Sequence, residues 1–144
     1  MIREIQESDL EKLLNLYLFL HEEEVPVIDA DTQSLWHKII NDPNHHIIVV
    51  EENDEMLASC VCVIIPNLTR NTRPYAIIEN VVTHEKCRNR GYATACLNLA
   101  KEIAQEEGCY KMMLMTSSKT ESTHNFYRSA GYNSDDKTAY IQWL

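Results

Sequence analysis

The sequence predicts a single α/β domain, because short strand-like segments alternate with amphipathic helical segments along its whole length. A chain of 144 residues is long enough to bury one hydrophobic core. No internal repeat, low-complexity tract or linker divides it. We therefore expect one domain over residues 1–144, with the element order β-α-α-β-β-β-α-β-α-β.

The first half of the chain predicts a strand, two helices and a hairpin. IREI alternates as a strand does, and SDLE fits a capping box in which Ser8 caps a first helix and Glu11 reaches back. A second helix is expected to start near Asp31 and to end before Pro43. HIIVVEE and MLASCVCVIIP follow as two strands joined by the turn NDE.

The second half begins with a polar loop, NLTRNTRP, which contains Arg70 and Arg73. YAIIENVVT is apolar on both faces, which is typical of a strand at the centre of a sheet. A helix with an apolar stripe follows Gly91 and closes at Gly108. The remaining segments predict a strand (CYKMMLMT), a short helix that ends at Gly131 (ESTHNFYRSAG) and a last strand (TAYIQWL).

Composition and charge exclude several classes of function. A formal net charge of −9 argues against nonspecific nucleic-acid binding and favours a small cationic partner. No apolar run approaches the roughly 20 residues of a membrane span, and the N-terminus lacks a basic-then-apolar leader. The five cysteines lack disulfide or metal spacing, so we expect reduced thiols in a cytoplasmic protein and no metal site.

The segment CRNRGYATACLNLAKE places positive charge and bare backbone together at a helix start. The first N–H groups of a helix have no partner within it, so a helix N-terminus attracts anions. Gly91 leaves the backbone accessible, and Arg88 and Arg90 add charge that can pair with phosphate oxygens. The spacing matches neither the nucleotide P-loop nor the dinucleotide fingerprint.

This segment, following ENVVTHEKC and followed later by FYRSAGY, resembles the GNAT superfamily of N-acetyltransferases. The resemblance implies a mixed, mostly antiparallel, twisted sheet that is splayed between its two central strands and flanked by about four helices. It also implies that loop amides bind the pyrophosphate of acetyl-CoA, and that pantetheine pairs with the exposed strand edge facing MTSS. The residues that it assigns to acetyl-CoA binding are Val81, Val82, Thr83, Arg88, Asn89, Arg90, Gly91, Tyr92, Ala93 and Thr94. To these it adds Thr120, which stands where the family often has asparagine.

Two side chains are candidates for acid–base catalysis. The resemblance assigns Tyr127 to protonation of the CoA sulfur, and the alternative is an aromatic ring that packs on the sheet. Regular alternation places Glu79 on one face with Tyr75, Ile77 and Val81, in an apolar setting that would suit a general base. The alternative for Glu79 is a structural ion pair with Arg73 or Arg70.

The expected function is transfer of an acetyl group from acetyl-CoA to a primary amine of a small molecule, by direct attack. Glucosamine-phosphate and protein or peptide acetylation remain open, as does a non-catalytic acyl-CoA-binding sensor. His124 shares a helix face with Tyr127, which could bring it to the active-site pocket. A surface position is the simpler interpretation. For the cysteines, packing in the core is a simpler interpretation than a covalent acetyl-enzyme. A homodimer is among the expected assemblies.

Overall fold

A single mixed sheet of five strands lies at the centre of the computed structural model, which describes all residues from Met1 to Leu144. Its strands are β1 (Ile2–Glu4), β2 (His45–Glu52), β3 (Glu55–Ile65), β4 (Tyr75–Thr83) and β5 (Met112–Leu114). They lie side by side in that order, and β5 forms one edge of the sheet. The pairs from β1 to β4 are antiparallel, whereas β4 and β5 are parallel. The predicted mixed, mostly antiparallel sheet is therefore confirmed.

Four helices flank the sheet: α1 (Leu10–Tyr17), α2 (Ala30–Ile40), α3 (Tyr92–Glu106) and α4 (Glu121–Ser129). Two 3₁₀ turns, Glu7–Asp9 and Glu85–Cys87, precede α1 and α3. In the one-turn segment Thr69–Thr72, Arg70, Asn71 and Thr72 have positive φ angles, so the loop NLTRNTRP contains a tight turn. None of the helices combines the length and the apolar composition that crossing a membrane requires.

The core consists of one hydrophobic cluster on each side of the sheet. On one side α3 packs on small side chains of the strands, so helix and sheet approach closely. The fully buried small residues of this cluster are Ala58, Cys60, Cys62, Ala76, Cys96 and Ala100. On the other side α1 and α2 contribute the larger side chains Leu13, Leu16 and Trp36.

An ion-pair network, rather than the predicted capping box at Ser8, fixes the start of α1. The Arg3 guanidinium donates to the Asp9 carboxylate at 2.6 and 3.2 Å and to Glu51 at 2.6 Å. Asp9 Oδ2 also accepts the backbone N–H of Gln6 at 2.8 Å, which is the role expected of Glu11. The hydrogen bond from Arg3 holds the pKa of Asp9 below its usual range, although burial opposes that shift.

The prediction of a last strand at TAYIQWL is wrong for the single chain. Residues 138–144 belong to no strand and make no hydrogen bond. Their large side chains lie in solvent, with Tyr140 94% and Trp143 86% exposed. A strand forms only where a neighbour supplies hydrogen-bond partners, and this segment lies against no strand of its own sheet.

The Arg3–Asp9 pair should stabilise the fold in a pH-dependent way. Replacing Asp9 with asparagine should lower the free energy of unfolding at pH 7 by about 2 kcal/mol, because a nearly buried charge-assisted hydrogen bond is lost. The pKa of Asp9 is lower in the folded than in the unfolded chain, where it is about 4. The stabilisation by Asp9 is therefore complete at a pH above the pKa of Asp9 in the unfolded chain. It is lost as the pH falls through the pKa of Asp9 in the folded chain.

Urea unfolding of wild type and variant at neutral and acidic pH measures this effect. Asp54→Asn is the matched control, because the Asp54 side chain is 88% exposed and its contact with Lys12 should contribute little. Equal losses of stability for the two variants would contradict the assignment.

Candidate active site

The two parallel strands separate partway along their length. Pairing joins Ala76, Ile77 and Ile78 of β4 to Met112, Met113 and Leu114 of β5 and goes no further. β4 then continues to Thr83, whereas the chain after Leu114 is irregular. The edge of β4 from Glu79 to Thr83 therefore has no strand beside it on that side, which confirms the predicted splay.

A β-bulge interrupts β4 at the point where the strands separate. Glu79 pairs with Val61 and Val82 pairs with Ser59, so Asn80 and Val81 together lie opposite Cys60. Asn80 has a φ of 49°, a left-handed conformation that asparagine tolerates better than most residues. The extra residue reverses the alternation, and Val81 packs against the cluster on the α3 side.

The expected setting of Glu79 is wrong in part: Glu79 shares a face with Tyr75 and Ile77, as predicted, but the bulge moves Val81 to the other face. Glu79 lies opposite Val61, on the face away from Val81, and its side chain is exposed. The ion-pair alternative is also wrong, since Glu79 forms no salt bridge. Arg73 instead donates to the carbonyl oxygens of Gly108 and Cys109, each at 3.0 Å. Glu79 is thus a free carboxylate beside the opening of the sheet.

A cleft of about 640 Å³ lies where the strands separate, between the start of α3 and one face of α4. Most of the predicted residues line it: Val81, Val82, Thr83, Arg88, Asn89, Gly91, Tyr92, Ala93, Thr94 and Tyr127. Glu79, Arg90 and Thr120 do not. Five lining residues lie outside the predicted set: Phe19, Cys87, Ser122, Thr123 and Phe126.

One wall of the cleft is a row of backbone N–H groups without partners. The N–H groups of Arg88 to Gly91 donate to no acceptor in the protein. Gly91 caps α3 in a left-handed conformation with φ of 83° and offers no side-chain cap. The first turn of α3 therefore also presents uncapped N–H groups, which makes this wall suited to an anion such as a phosphate.

Tyr127, on α4, also lines the cleft. Tyr127 is half-buried, its ring lies 5.0 Å from that of Phe126, and it meets Tyr132 edge-on at 6.3 Å. Burial raises the pKa of Tyr127 above the usual value, and the nearby Cys60 adds to that shift. The hydroxyl therefore stays protonated around neutral pH and can donate a proton into the cleft.

A hydroxyl network at the start of α4 explains the positions of Thr120 and His124. The Thr120 hydroxyl lies 2.8 Å from that of Thr123 and 3.0 Å from that of Ser118. Thr123 is the member of this network that reaches the cleft. Nε2 of His124 donates to the Ser118 carbonyl at 3.0 Å, so this histidine braces the loop and does not line the cleft.

The far end of the cleft is formed by residues beyond α1. The ring of Phe19 packs against that of His84 with 4.4 Å between centroids. The neighbouring Tyr17 is largely buried, which raises its pKa to about 12, and the Asn80 side chain opposes that shift. Phe19 lies one residue past the apolar stripe of α1, so periodicity carries no signal for it.

The chain is similar to known acetyltransferases in both sequence and fold. The model of the acetyltransferase (GNAT) family matches residues 10–132. A solved structure described as an acetyltransferase from Agrobacterium tumefaciens strain C58 is 35% identical, with a TM-score of 0.91 over 99% of both chains.

Two more distant structures share the fold. Glucosamine-6-phosphate N-acetyltransferase from Arabidopsis thaliana is 22% identical, with a TM-score of 0.87 over 100% of this chain and 97% of that one. AAC(6')-Iy, solved with the bisubstrate analogue CoA-S-monomethyl-acetylneamine, is 15% identical, with a TM-score of 0.80 over 100% and 97%. With a family match over most of its length, and with the splayed sheet and the uncapped helix start described above, the chain belongs to the acetyltransferase (GNAT) family.

Proposed function

We propose that this protein is an acetyl-CoA-dependent N-acetyltransferase that acetylates a primary amine of a small molecule by direct attack. The observation that carries the proposal is the cleft itself. One wall offers unpartnered N–H groups to a pyrophosphate, and the other offers a protonated phenol to a leaving sulfur. A phosphate-binding wall alone fits many ligands, whereas its pairing with a proton donor fits acyl transfer from a thioester.

The binding residues divide by the part of acetyl-CoA that each would hold. The backbone from Arg88 to Thr94 would bind the pyrophosphate, with the exposed Arg88 and Arg90 adding positive charge. The open edge of β4 at Val81 to Thr83 would pair with the pantetheine amides as a missing strand would. Thr120 would act through Thr123, which lines the cleft.

Three groups of the chain would carry the chemistry on the acetyl group, which acetyl-CoA supplies as an activated thioester. The backbone N–H of Val81 or Val82 would polarise the thioester carbonyl. Glu79 would take a proton from the ammonium group of the acceptor through water, so that the neutral amine attacks; a water is needed because the Glu79 carboxylate is exposed and does not line the cleft. Tyr127 would give its proton to the sulfur as the carbon–sulfur bond breaks, so that a neutral thiol leaves.

We propose a cationic acceptor. Phe19 lines the cleft, and the exposed Glu22, Glu23 and Glu24 follow it closely along the chain. Acidic side chains attract a protonated amine and repel a phosphate, which disfavours glucosamine phosphate. Thiol release from acetyl-CoA, measured with a polyamine, an aminoglycoside, glucosamine 6-phosphate and a peptide, separates these classes. Tight CoA binding without thiol release from any of them would favour a sensor.

Gly91 offers a test of the pyrophosphate site with a matched control. Gly91 and Gly108 both have left-handed backbone angles, and a Cβ at either would meet no atom within 4 Å. Gly91→Ala and Gly108→Ala should therefore strain the backbone alike, by about 1 kcal/mol. Only Gly91→Ala should also weaken CoA binding, about tenfold by calorimetry, because its Cβ obstructs the phosphate. Equal CoA affinities for the two variants would refute the site.

Tyr127→Phe removes the hydroxyl and keeps the ring. We expect kcat to fall by about 10–10³-fold with nearly unchanged CoA affinity, since the proton is needed only as the thiolate leaves. The control is Tyr132→Phe, a half-buried neighbour that does not line the cleft, and its kcat should match wild type. A Tyr127→Phe enzyme with full kcat and lower stability would make Tyr127 a packing residue.

Glu79→Gln tests the base. We expect kcat/KM to fall about 100-fold, with CoA affinity unchanged. In the wild type kcat/KM should rise with pH between about 6 and 9, because only the neutral amine attacks. Glu85→Gln, which alters an exposed carboxylate in the turn after β4, is the control. Wild-type rates for Glu79→Gln across this range would show that water alone takes the proton.

A further inference from the structure

The bulge in β4 holds Asn80 in a conformation that needs support from its surroundings. Asn80 has a φ of 49°, and together with Val81 it lies opposite the single residue Cys60. A left-handed backbone angle costs free energy at any residue other than glycine, and it persists only where neighbouring contacts hold it. The contacts of Asn80 and Val81 therefore decide whether the bulge persists.

Only one of the two bulge residues is held by apolar packing. Val81 packs against the hydrophobic cluster on the α3 side of the sheet. Asn80 is exposed, so burial contributes little to its conformation. The conformation of Asn80 therefore depends on a polar contact of its side chain.

Tyr17, the last residue of α1, lies on the other side of the sheet from Val81. The helix α1 lies against both β3 and β4, and Tyr17 packs on the cluster that contains Val61 and Val82. Val61 lies opposite Glu79, and Val82 directly follows Val81, so these two valines flank the bulge. Packing of the ring therefore brings Tyr17 to the bulge from the side opposite to α3.

A hydrogen bond joins the Asn80 side chain to the Tyr17 hydroxyl. This bond lowers the pKa of Tyr17, which identifies the Asn80 amide N–H as the donor, because a donated hydrogen bond favours the phenolate. Burial has the larger, opposite effect and raises the pKa of Tyr17 to about 12. Tyr17 is therefore a neutral phenol around neutral pH, and its contact with Asn80 does not change there.

We propose that Tyr17 is a positioning residue for acetyl transfer: its hydroxyl holds the Asn80 side chain and so keeps β4 bulged where the thioester carbonyl would bind. The inference rests on the function proposed above. Tyr17 does not line the cleft, so it acts through Asn80 and not by contact with acetyl-CoA.

The bulge decides which backbone N–H groups face the open edge of β4. Successive N–H groups of a strand point to opposite edges, and an extra residue shifts that alternation by one. In β4 the shift falls between Glu79 and Val82, within the stretch that has no strand on the β5 side. Loss of the bulge would turn an N–H group that faces the cleft toward β3, and the thioester carbonyl would lose its donor.

Tyr17→Phe removes the hydroxyl and keeps the ring. We expect kcat to fall about 10–100-fold with nearly unchanged CoA affinity by calorimetry, because the carbonyl donor is displaced and the loop before α3 is not. Tyr110→Phe, which removes a phenol hydroxyl near the other end of β4, is the matched control and should keep the wild-type kcat. Circular dichroism should show that all variants are folded. Full kcat in Tyr17→Phe would overturn the proposal.

A double-mutant cycle separates positioning from packing. Glycine adopts a positive φ without steric cost, so Asn80→Gly should keep the bulge and most of kcat, whereas Asn80→Ala should lose as much as Tyr17→Phe. In the Asn80→Gly background Tyr17→Phe should have no further effect, because the bulge no longer needs the hydroxyl. An equal loss from Tyr17→Phe in both backgrounds would make Tyr17 a packing residue and refute the proposal.

Amide hydrogen exchange reports on the bulge without any acceptor. Tyr17→Phe should speed the exchange of residues 79–83 and leave that of β2 at the wild-type rate. Unchanged exchange in residues 79–83 would overturn the inference whether or not the protein is an active enzyme. Faster exchange in a protein that acetylates no amine would support the contact with the bulge and refute the proposed function instead.

Discussion

The site depends on an interruption in backbone hydrogen bonding along β4. On the β3 side the strand is paired almost throughout, whereas on the β5 side its pairing stops at Ile78. An unpaired backbone edge inside a protein is costly unless water or a ligand satisfies it. The open stretch from Glu79 to Thr83 therefore forms one side of the cleft and leaves backbone groups that water or a ligand can satisfy. The uncapped start of α3 and Tyr127 line the same cleft because the sheet opens at this point.

The opposite end of the same strand pair is held closed. The N–H of Tyr110 donates to the Pro74 carbonyl and that of Ala76 to the Lys111 carbonyl, both at 3.0 Å. The Arg73 side chain donates to the carbonyl oxygens of Gly108 and Cys109, which follow α3. The Lys111 ammonium lies over the rings of Tyr75 and Tyr110. The two strands thus form a V whose closed end is held by hydrogen bonds. Arg73 and Pro74, which make several of these bonds, belong to the loop NLTRNTRP.

Sequence patterns predicted the elements well where a regular period governs them. The helices and the five paired strands follow from apolar periodicity, and the uncapped start of α3 follows from Gly91. Regular alternation failed at Asn80, because a bulge depends on contacts between strands that no local pattern contains. It therefore misplaced Val81, which does not share the face of Glu79.

Other failures have the same origin. Ser8 has the residue type of a cap, but Asp9 is the residue whose position lets it serve both Gln6 and Arg3. TAYIQWL has the composition of a strand, and whether it becomes one depends on a neighbour that lies outside the local sequence. Phe19 reaches the cleft because of the path that the chain takes after α1, and the helical spacing of apolar residues in α1 does not indicate that path.

Small residues at the contact between α3 and the sheet allow the helix to lie close to the strands. Alanine and cysteine at Cys60, Cys96 and Ala100 let the helix lie close to the sheet, so the axis of α3 is set by side chains that never meet a ligand. The start of that helix carries the N–H groups of the cleft wall, and its height above the sheet therefore fixes their distance from Tyr127. A bulkier core residue would lift the helix, and in a site of this kind a displacement of about 1 Å can cost about 100-fold in rate. The size of the core side chains thus helps to set the geometry of the cleft.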